Sequence, residues 1–232
     1  MKMEMVAAIP VLTACCWTMM TMAGGPPSAR CESDPAELPR PRLESSVSVE
    51  EALQARRSAR RYGKGPLTLA EVSQLLWAAQ GINDPRGLRT SPSAGALYPL
   101  ELLVVAGSVE GLEAGVYAYR PRGHVLTRRQ EGDARDALAR AALRQSWMSE
   151  APAIIVVAGV YERTTGKYGR RGARYVHMEA GHAAQNIYLQ AEALDLATVV
   201  VGAFHDEAVQ EAAALDPDEV PLYLMPVGKK AP

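Results

Sequence analysis

Arg56-Arg57-Ser58-Ala59-Arg60 and Ser91-Pro92-Ser93-Ala94-Gly95-Ala96-Leu97-Tyr98-Pro99 are the two stretches on which the reading of this chain turns. In the first, guanidinium groups donate in a fixed fork that matches phosphate oxygens, and the serine hydroxyl beside them suits a phosphate monoester. The second is a loop of small residues. Such residues let backbone N–H and C=O groups approach a flat ligand that a bulky side chain would hold off. Together the two stretches point to a phosphorylated, planar cofactor.

Working outward, the 232 residues with 48% hydrophobic content can bury a substantial core, and the length favours one folded domain. A net charge of -1 with both signs interspersed gives no uncompensated basic face, so nucleic acid is not expected as a partner. Cys15, Cys16 and Cys31 all precede the folded part, which leaves it without a thiol nucleophile, a disulfide or a cysteine-ligated metal. His177 and His182 lie five apart on one predicted helix and point away from each other, a poor metal pair, and no metal is expected. No G-x-G-x-x-G follows a strand, so a dedicated Rossmann site for a nicotinamide cofactor is not expected either.

The first 25 residues read as a signal peptide or a lipoprotein signal. From Met5 to Gly25 the chain is uncharged and mostly apolar, behind Lys2, and Leu12-Thr13-Ala14-Cys15 looks like a bacterial lipobox. An uncleaved anchor or a misassigned start codon are the other readings, and Pro10 with Gly24-Gly25-Pro26-Pro27 disfavours a straight transmembrane helix. Residues 26–46, rich in Pro, Ser and charge, read as a flexible linker, and 47–232 as the folded domain. The protein is accordingly expected to be exported, periplasmic or lipid-anchored, with a membrane tether through its amino terminus, and otherwise cytoplasmic. No Arg pair precedes the apolar run, so a chain exported unfolded would have to acquire its cofactor outside the cytoplasm.

Past Ser46 the elements are well punctuated. Ser48-Val49-Glu50-Glu51 and Thr68-Leu69-Ala70-Glu71 fit capping boxes, opening one helix through about Arg57 and a second to Gln80, which Gly81 is placed to end. Buried strands are predicted over 100–106, 153–160, 197–201 and 222–227, with a hairpin of 115–119 and 124–128 around Pro121-Arg122-Gly123. Asp133 can cap a helix over 134–145 and Asp206 another. The longest helical pattern runs from Gly172 to Leu194, with Ala180, Gly181, Ala183 and Ala184 offering a face for close packing. This order gives an α+β sandwich, a mixed sheet flanked by helices on both faces.

The two opening stretches, with their spacing and company, resemble the nitroreductase family of flavin mononucleotide (FMN) enzymes. Lys167-Tyr168-Gly169-Arg170-Arg171-Gly172-Ala173-Arg174-Tyr175 and Glu179-Ala180-Gly181-His182-Ala183-Ala184-Gln185-Asn186 look like its SagB-type branch, which includes flavin dehydrogenases that oxidise thiazolines and oxazolines. The resemblance covers about Val49 to Lys229. It implies a nitroreductase-like fold and a homodimer with flavin at the subunit interface, the long helix lying there. It assigns the flavin phosphate to Arg56, Ser58 and Arg60, with Arg57 and Lys229 adding charge. Pro92, Ser93, Ala94 and Gly95 match the loop against the flavin ring, supplied by the partner subunit, although Ala94 replaces a serine common in the family. Val201, Gly202 and Ala203 match the segment along the ring's other face, and Gln145 stands where the family often places an amide.

Lys167 and Tyr168 resemble the catalytic pair of azoline dehydrogenases: flavin N5 takes a hydride, and a desolvated Lys takes the proton, with the phenol relaying or orienting. The substrate implied is an azoline-like or other small reduced molecule, free or on a modified peptide. Two alternatives stand beside it. One is an NAD(P)H-dependent reductase of nitro compounds or quinones, with NAD(P)H a transient electron donor in ping-pong kinetics. The other is a flavin-binding or flavin-sequestering protein without turnover. Taken singly, each Arg is more often a solvated surface charge, Lys167 a surface loop lysine, and His182 a satisfied structural histidine.

Overall fold

The computed structural model describes residues 35–231. The signal, lipobox and tether readings fall on residues outside that range.

Residues of the predicted linker are docked from 36 onward. β1 (Ala36–Glu37) pairs antiparallel with a later strand, Ala36 opposite Leu126. Leu38 is buried, and the Arg42 N–H donates to Gln74 Oε1 at 2.8 Å. Pro and charge in this stretch hide a two-residue strand with a single apolar anchor.

Both capping boxes form. Ser48 opens α1 (Val49–Ala55), its hydroxyl accepting from the Glu51 N–H at 3.1 Å while Glu51 Oε2 accepts from the Ser48 N–H at 2.7 Å. After β2 (Leu67–Thr68), Thr68 and Glu71 close the same reciprocal pair around the start of α2 (Leu69–Gln80). Gly81 ends α2 for a reason other than the expected left-handed cap. Its φ is -64°, and a Cβ there would lie 2.1 Å from Trp77 Cδ1, so glycine is required for close approach.

β3 (Leu100–Ala106), β5 (Gly115–Arg120) and β6 (Val125–Glu131) follow the predicted punctuation, and the two-residue β4 (Val109–Glu110) between β3 and β5 is not among the predicted strands. α3 (Arg135–Ala141) is shorter than predicted. Leu143 and Arg144 adopt left-handed φ of 56° and 60°, which breaks the helix before Gln145. Asp133 accepts from the Arg135 N–H at 3.0 Å, while Ala134 is the N-cap residue. β7 (Ala153–Gly159) is followed by α4 (Glu162–Tyr168), which the sequence reading leaves as loop, its pattern blurred by two threonines and Gly166. α5 (Gly172–Ala193) is the long helix, and then come β8 (Leu196–Thr198), α6 (Asp206–Ala212) and β9 (Val220–Lys229). His205, not Asp206, is the N-cap of α6, with Asp206 in the first turn beside the helix dipole.

Among the described residues the sheet order is β1-β6-β5-β3-β7-β9-β8, with every neighbouring pair antiparallel, and parallel pairing is confined to β2 with β4. The architecture is the expected α+β sandwich, except that the main sheet is antiparallel throughout and not mixed. Alternation along the strands sends Leu102, Val104, Ile155 and Val157 toward α2 and α5, and Leu103, Val105, Ile154 and Val156 toward α3 and α6. Both faces are covered, which is why β3 and β7 read as continuous apolar runs and not as alternating ones.

Candidate functional site

α1 stops at Ala55 because Arg56 turns extended, with ψ 120°. The chain then runs alongside β8, the Ala59 N–H donating to the Thr198 carbonyl at 3.0 Å. The Arg56 guanidinium lies 5.1 Å from the centroid of the Tyr188 ring, Ser58 Oγ is 3.1 Å from Tyr188 Oη, and the Arg60 guanidinium is 5.8 Å from the Trp147 ring. Arg57, Ser58, Arg60, Arg61 and Lys230 line one cleft. No carboxylate pairs with Arg56, Arg57, Arg60 or Arg61 among the described residues. Glu192 also lines the cleft but is paired with Lys230, so the guanidinium groups there repel one another with little compensation, and an anion among them offsets that repulsion.

Two buried hydroxyls border this cradle without a hydrogen-bond partner, Tyr62 Oη and Thr198 Oγ1. Burial pushes the Tyr62 phenol above its ordinary range, against the smaller lowering effect of Arg60. Tyr188 connects the cradle to the next segment. Its hydroxyl, beside Ser58, accepts from the Val200 N–H at 2.8 Å. Val201 is fixed by reciprocal backbone bonds with Leu224 at 2.8 and 2.9 Å, and Gly202 and Ala203 emerge exposed.

The loop of small residues is held from α5. Glu179, buried, accepts from the Ala94 N–H at 2.9 Å, and Asn186 Nδ2 donates to Ser91 Oγ at 3.0 Å and to the Ala78 carbonyl at 2.9 Å. Ser93 Oγ accepts from the Tyr98 N–H at 2.9 Å, and Pro92 is exposed. Gly95 has φ +63°, and a Cβ there would meet Tyr168 Oη at 2.8 Å and Lys167 Nζ at 2.9 Å. The structure thus brings Gly95, Lys167 and Tyr168 together. Tyr168 stacks edge-on with Tyr175, centroids 5.2 Å apart, and Lys167 Nζ sits 5.4 Å from the Tyr168 centroid. In the single chain Lys167 is exposed.

Helix geometry separates these two groups. At about 100° per residue, Glu179 and Asn186 project from the same side of α5, whereas Glu179 and Tyr188 differ by about half a turn and about 14 Å along the axis. Glu179, which holds the loop, and Tyr188, which borders the cradle, thus project from opposite sides of α5.

Two predicted residues are placed elsewhere. Lys229 pairs with Glu71 on α2, and although burial favours protonation of that carboxyl, the hydrogen bonds from Lys229 and Thr68 outweigh it and hold its pKa below the ordinary range. Lys230, on the opposite face of the strand, lines the cradle instead and is itself paired with Glu192 at 2.6 Å. Gln145 donates its amide N–H to the Ala142 carbonyl at 3.0 Å, completing the broken end of α3 two residues before Trp147. Sequence reasoning missed Tyr188, Trp147, Tyr62 and Glu179 as site residues. Only Glu179 carried a signal, as a charged residue among the small residues of α5.

The model of the Nitroreductase family matches residues 53–229. A protein of Methanocaldococcus jannaschii, named "Putative nitroreductase MJ1384", is 49% identical over 197 residues, 85% of this chain and 98% of its own. The crystal structure of a "putative nitroreductase" from Ralstonia eutropha superposes with a TM-score of 0.76 at 28% identity, over 85% of this chain and 90% of that one. A chain of the E. coli microcin synthetase McbBCD complex with truncated pro-MccB17 bound gives a TM-score of 0.66 at 27% identity, over 83% of this chain and 77% of that one.

Proposed function

This chain belongs to the nitroreductase family and is an oxidoreductase, and on that premise we propose an FMN-dependent dehydrogenase of SagB type, acting as a homodimer on an azoline-like or other small reduced substrate. The observation that carries the cofactor reading is the chain of contacts from the arginine-rich cradle through Ser58 and Tyr188 to Val200. It links a cationic cup suited to a phosphate monoester with an exposed glycine segment suited to a flat ring.

Arg56, Ser58 and Arg60 would hold the phosphate, with Arg57 and Arg61 adding charge, and Tyr62 and Thr198 offer hydroxyls that lack partners in this chain. Gly202 and Ala203 would lie along one face of the ring. Bound FMN would supply a two-electron acceptor for hydride. Tyr188 sets the distance between phosphate and ring segments, and the 200–203 backbone excludes water from that face. Because the loop 92–95 faces away from the cradle across α5, a second copy supplies it, and brings its own Lys167 and Tyr168 with Gly95. Lys167 Nζ would accept the substrate proton once covered by that copy, and Tyr168 Oη would orient it. Similarity to the McbBCD chain, whose complex holds a truncated peptide, supports a peptide-borne substrate.

Similarity to the protein named a nitroreductase favours the second reading, a nitro or quinone reductase fed by NAD(P)H. The test is the absorption spectrum of the purified protein followed by anaerobic NADH or NADPH. Flavin bands that bleach establish a reducible flavoprotein. A colourless protein that takes up no added FMN overturns the proposal. Lys167→Ala and Tyr168→Phe then separate the readings: dehydrogenation should collapse with flavin retained, and a reductase should survive both.

A further inference from the structure

Tyr161 and His177 are absorbed by neither half of the site. They lie on opposite sides of α4 in sequence but meet in space, Tyr161 Oη hydrogen-bonded to His177 Nε2 with the rings edge-on at 84° and centroids 5.6 Å apart. They border a cleft of about 280 Å³ whose other walls include Gly202, Phe204, Leu222 and Tyr223. His177 also shares a face of α5 with Tyr188, about 20° apart and about 16 Å along the axis. The cleft is thus the far end of the track that starts at the phosphate cradle, next to the glycine segment.

We propose that Tyr161 and His177 form a proton-handling couple in this cleft, with Tyr161 touching an aromatic or otherwise planar ligand and His177 passing the proton to solvent. The inference rests on the reading of Gly202 as the segment beside the cofactor ring. The cleft walls are aromatic and aliphatic, which suits a flat unsaturated ring, and the hydroxyl–imidazole pair is its polar feature together with Asp206. When a ligand O–H or N–H bond breaks, its proton goes to Tyr161 Oη while the phenol proton moves to His177 Nε2. Tyr161 ends neutral, His177 ends as imidazolium, and no electrons change owner.

His177 is exposed in the single chain, which gives that proton a route out. Burial of Tyr161 holds its phenol above the ordinary range, and the negative charge of Asp206 adds to this, so Tyr161 relays a proton without resting as phenolate. The groups facing the couple are Asp206 from the first turn of α6 and Tyr223 from β9.

The experiment uses 4-nitrophenol as probe on the full chain as purified, with flavin content recorded separately. Its phenolate absorbance is titrated when free and when bound. The expected result is a bound probe ionising about one pH unit below the free one. Tyr161→Phe and His177→Gln should each abolish that shift, with flavin content and melting temperature unchanged. A shift retained in both variants, binding without a shift, or no binding overturns the couple. A protein that takes up no added FMN but whose probe shift still depends on both residues overturns the FMN reading and leaves the couple standing.

Discussion

Tyr188→Phe isolates the contact that joins the two ends of the cradle. The phenol oxygen accepts from the Val200 N–H at 2.8 Å and lies 3.1 Å from Ser58 Oγ. Ser58 is exposed and replaces the lost partner with water. Val200 is half-buried, and its N–H loses its acceptor; leaving such a donor unpaired costs about 1–3 kcal/mol. The ring beneath Arg56 is kept, so the cation–π contact survives. The net loss is therefore about 1–2 kcal/mol, a fall in Tm of roughly 2–8 °C for a domain of this size. Urea unfolding measures it, with the slope unchanged. Ser58→Ala should cost under about 0.5 kcal/mol, because an exposed hydroxyl pair contributes little. Both variants should weaken FMN retention, Tyr188→Phe through the displaced 200–203 segment and Ser58→Ala through the phosphate. A Tyr188→Phe protein within about 0.5 kcal/mol of wild type, holding FMN as tightly, would refute the view that this hydroxyl fixes the segment.

Gly95→Ala places a Cβ 2.8 Å from Tyr168 Oη and 2.9 Å from Lys167 Nζ at φ +63°, so it should cost about 1–2 kcal/mol from backbone strain. Because the clashing atoms are flexible tips, the larger effect should be on turnover, about tenfold or more, measured beside unchanged flavin absorbance. Glu219→Gln leaves the buried Arg129 guanidinium, otherwise bonded bidentately, with Asp216 at 3.3 Å as its remaining carboxylate; stability to urea should fall by about 3 kcal/mol. His124 bonds Tyr119 Oη at 2.9 Å and Ser73 Oγ at 2.7 Å, and burial, partly offset by the Pro39 carbonyl, lowers its pKa below the ordinary 6.5. The unfolded chain then binds the proton more readily, so stability is full above about pH 6.5 and declines as pH falls below it. His124→Gln should flatten that slope in denaturation measured from about pH 7 to 5.

What the sequence made legible was local. Each capping box lies within four residues, and a hydroxyl facing a carboxylate three positions on has one good way to pair. The apolar runs of β3 and β7 announced their burial because both faces of the sheet are covered. The left-handed turn at Leu143 and Arg144 had no such signal, since neither is Gly or Asn, and the end of α3 was read four residues too late. Lys229 against Lys230 was a question of strand parity: the family resemblance assigned Lys229, and one residue of register sends that side chain to Glu71 instead.

The site itself was legible only in its arginines and its small-residue loop, because its remaining parts are joined across long stretches of chain. Ser58 meets Tyr188 across 130 residues, and Ala94 meets Glu179 across 85. The small residues of α5 suggested a packing face, yet the positions that organise the site are its polar ones. Their angular arithmetic was available from numbering alone: 179 and 186 on one side, 177 and 188 opposite. What numbering withheld was the partner of each. Once Glu179 is seen to hold the loop and Tyr188 the cradle, the same arithmetic places these two contacts on opposite sides of α5, which supports the proposal that a ligand touching both loop and cradle takes them from two copies of the helix and that activity depends on dimer formation.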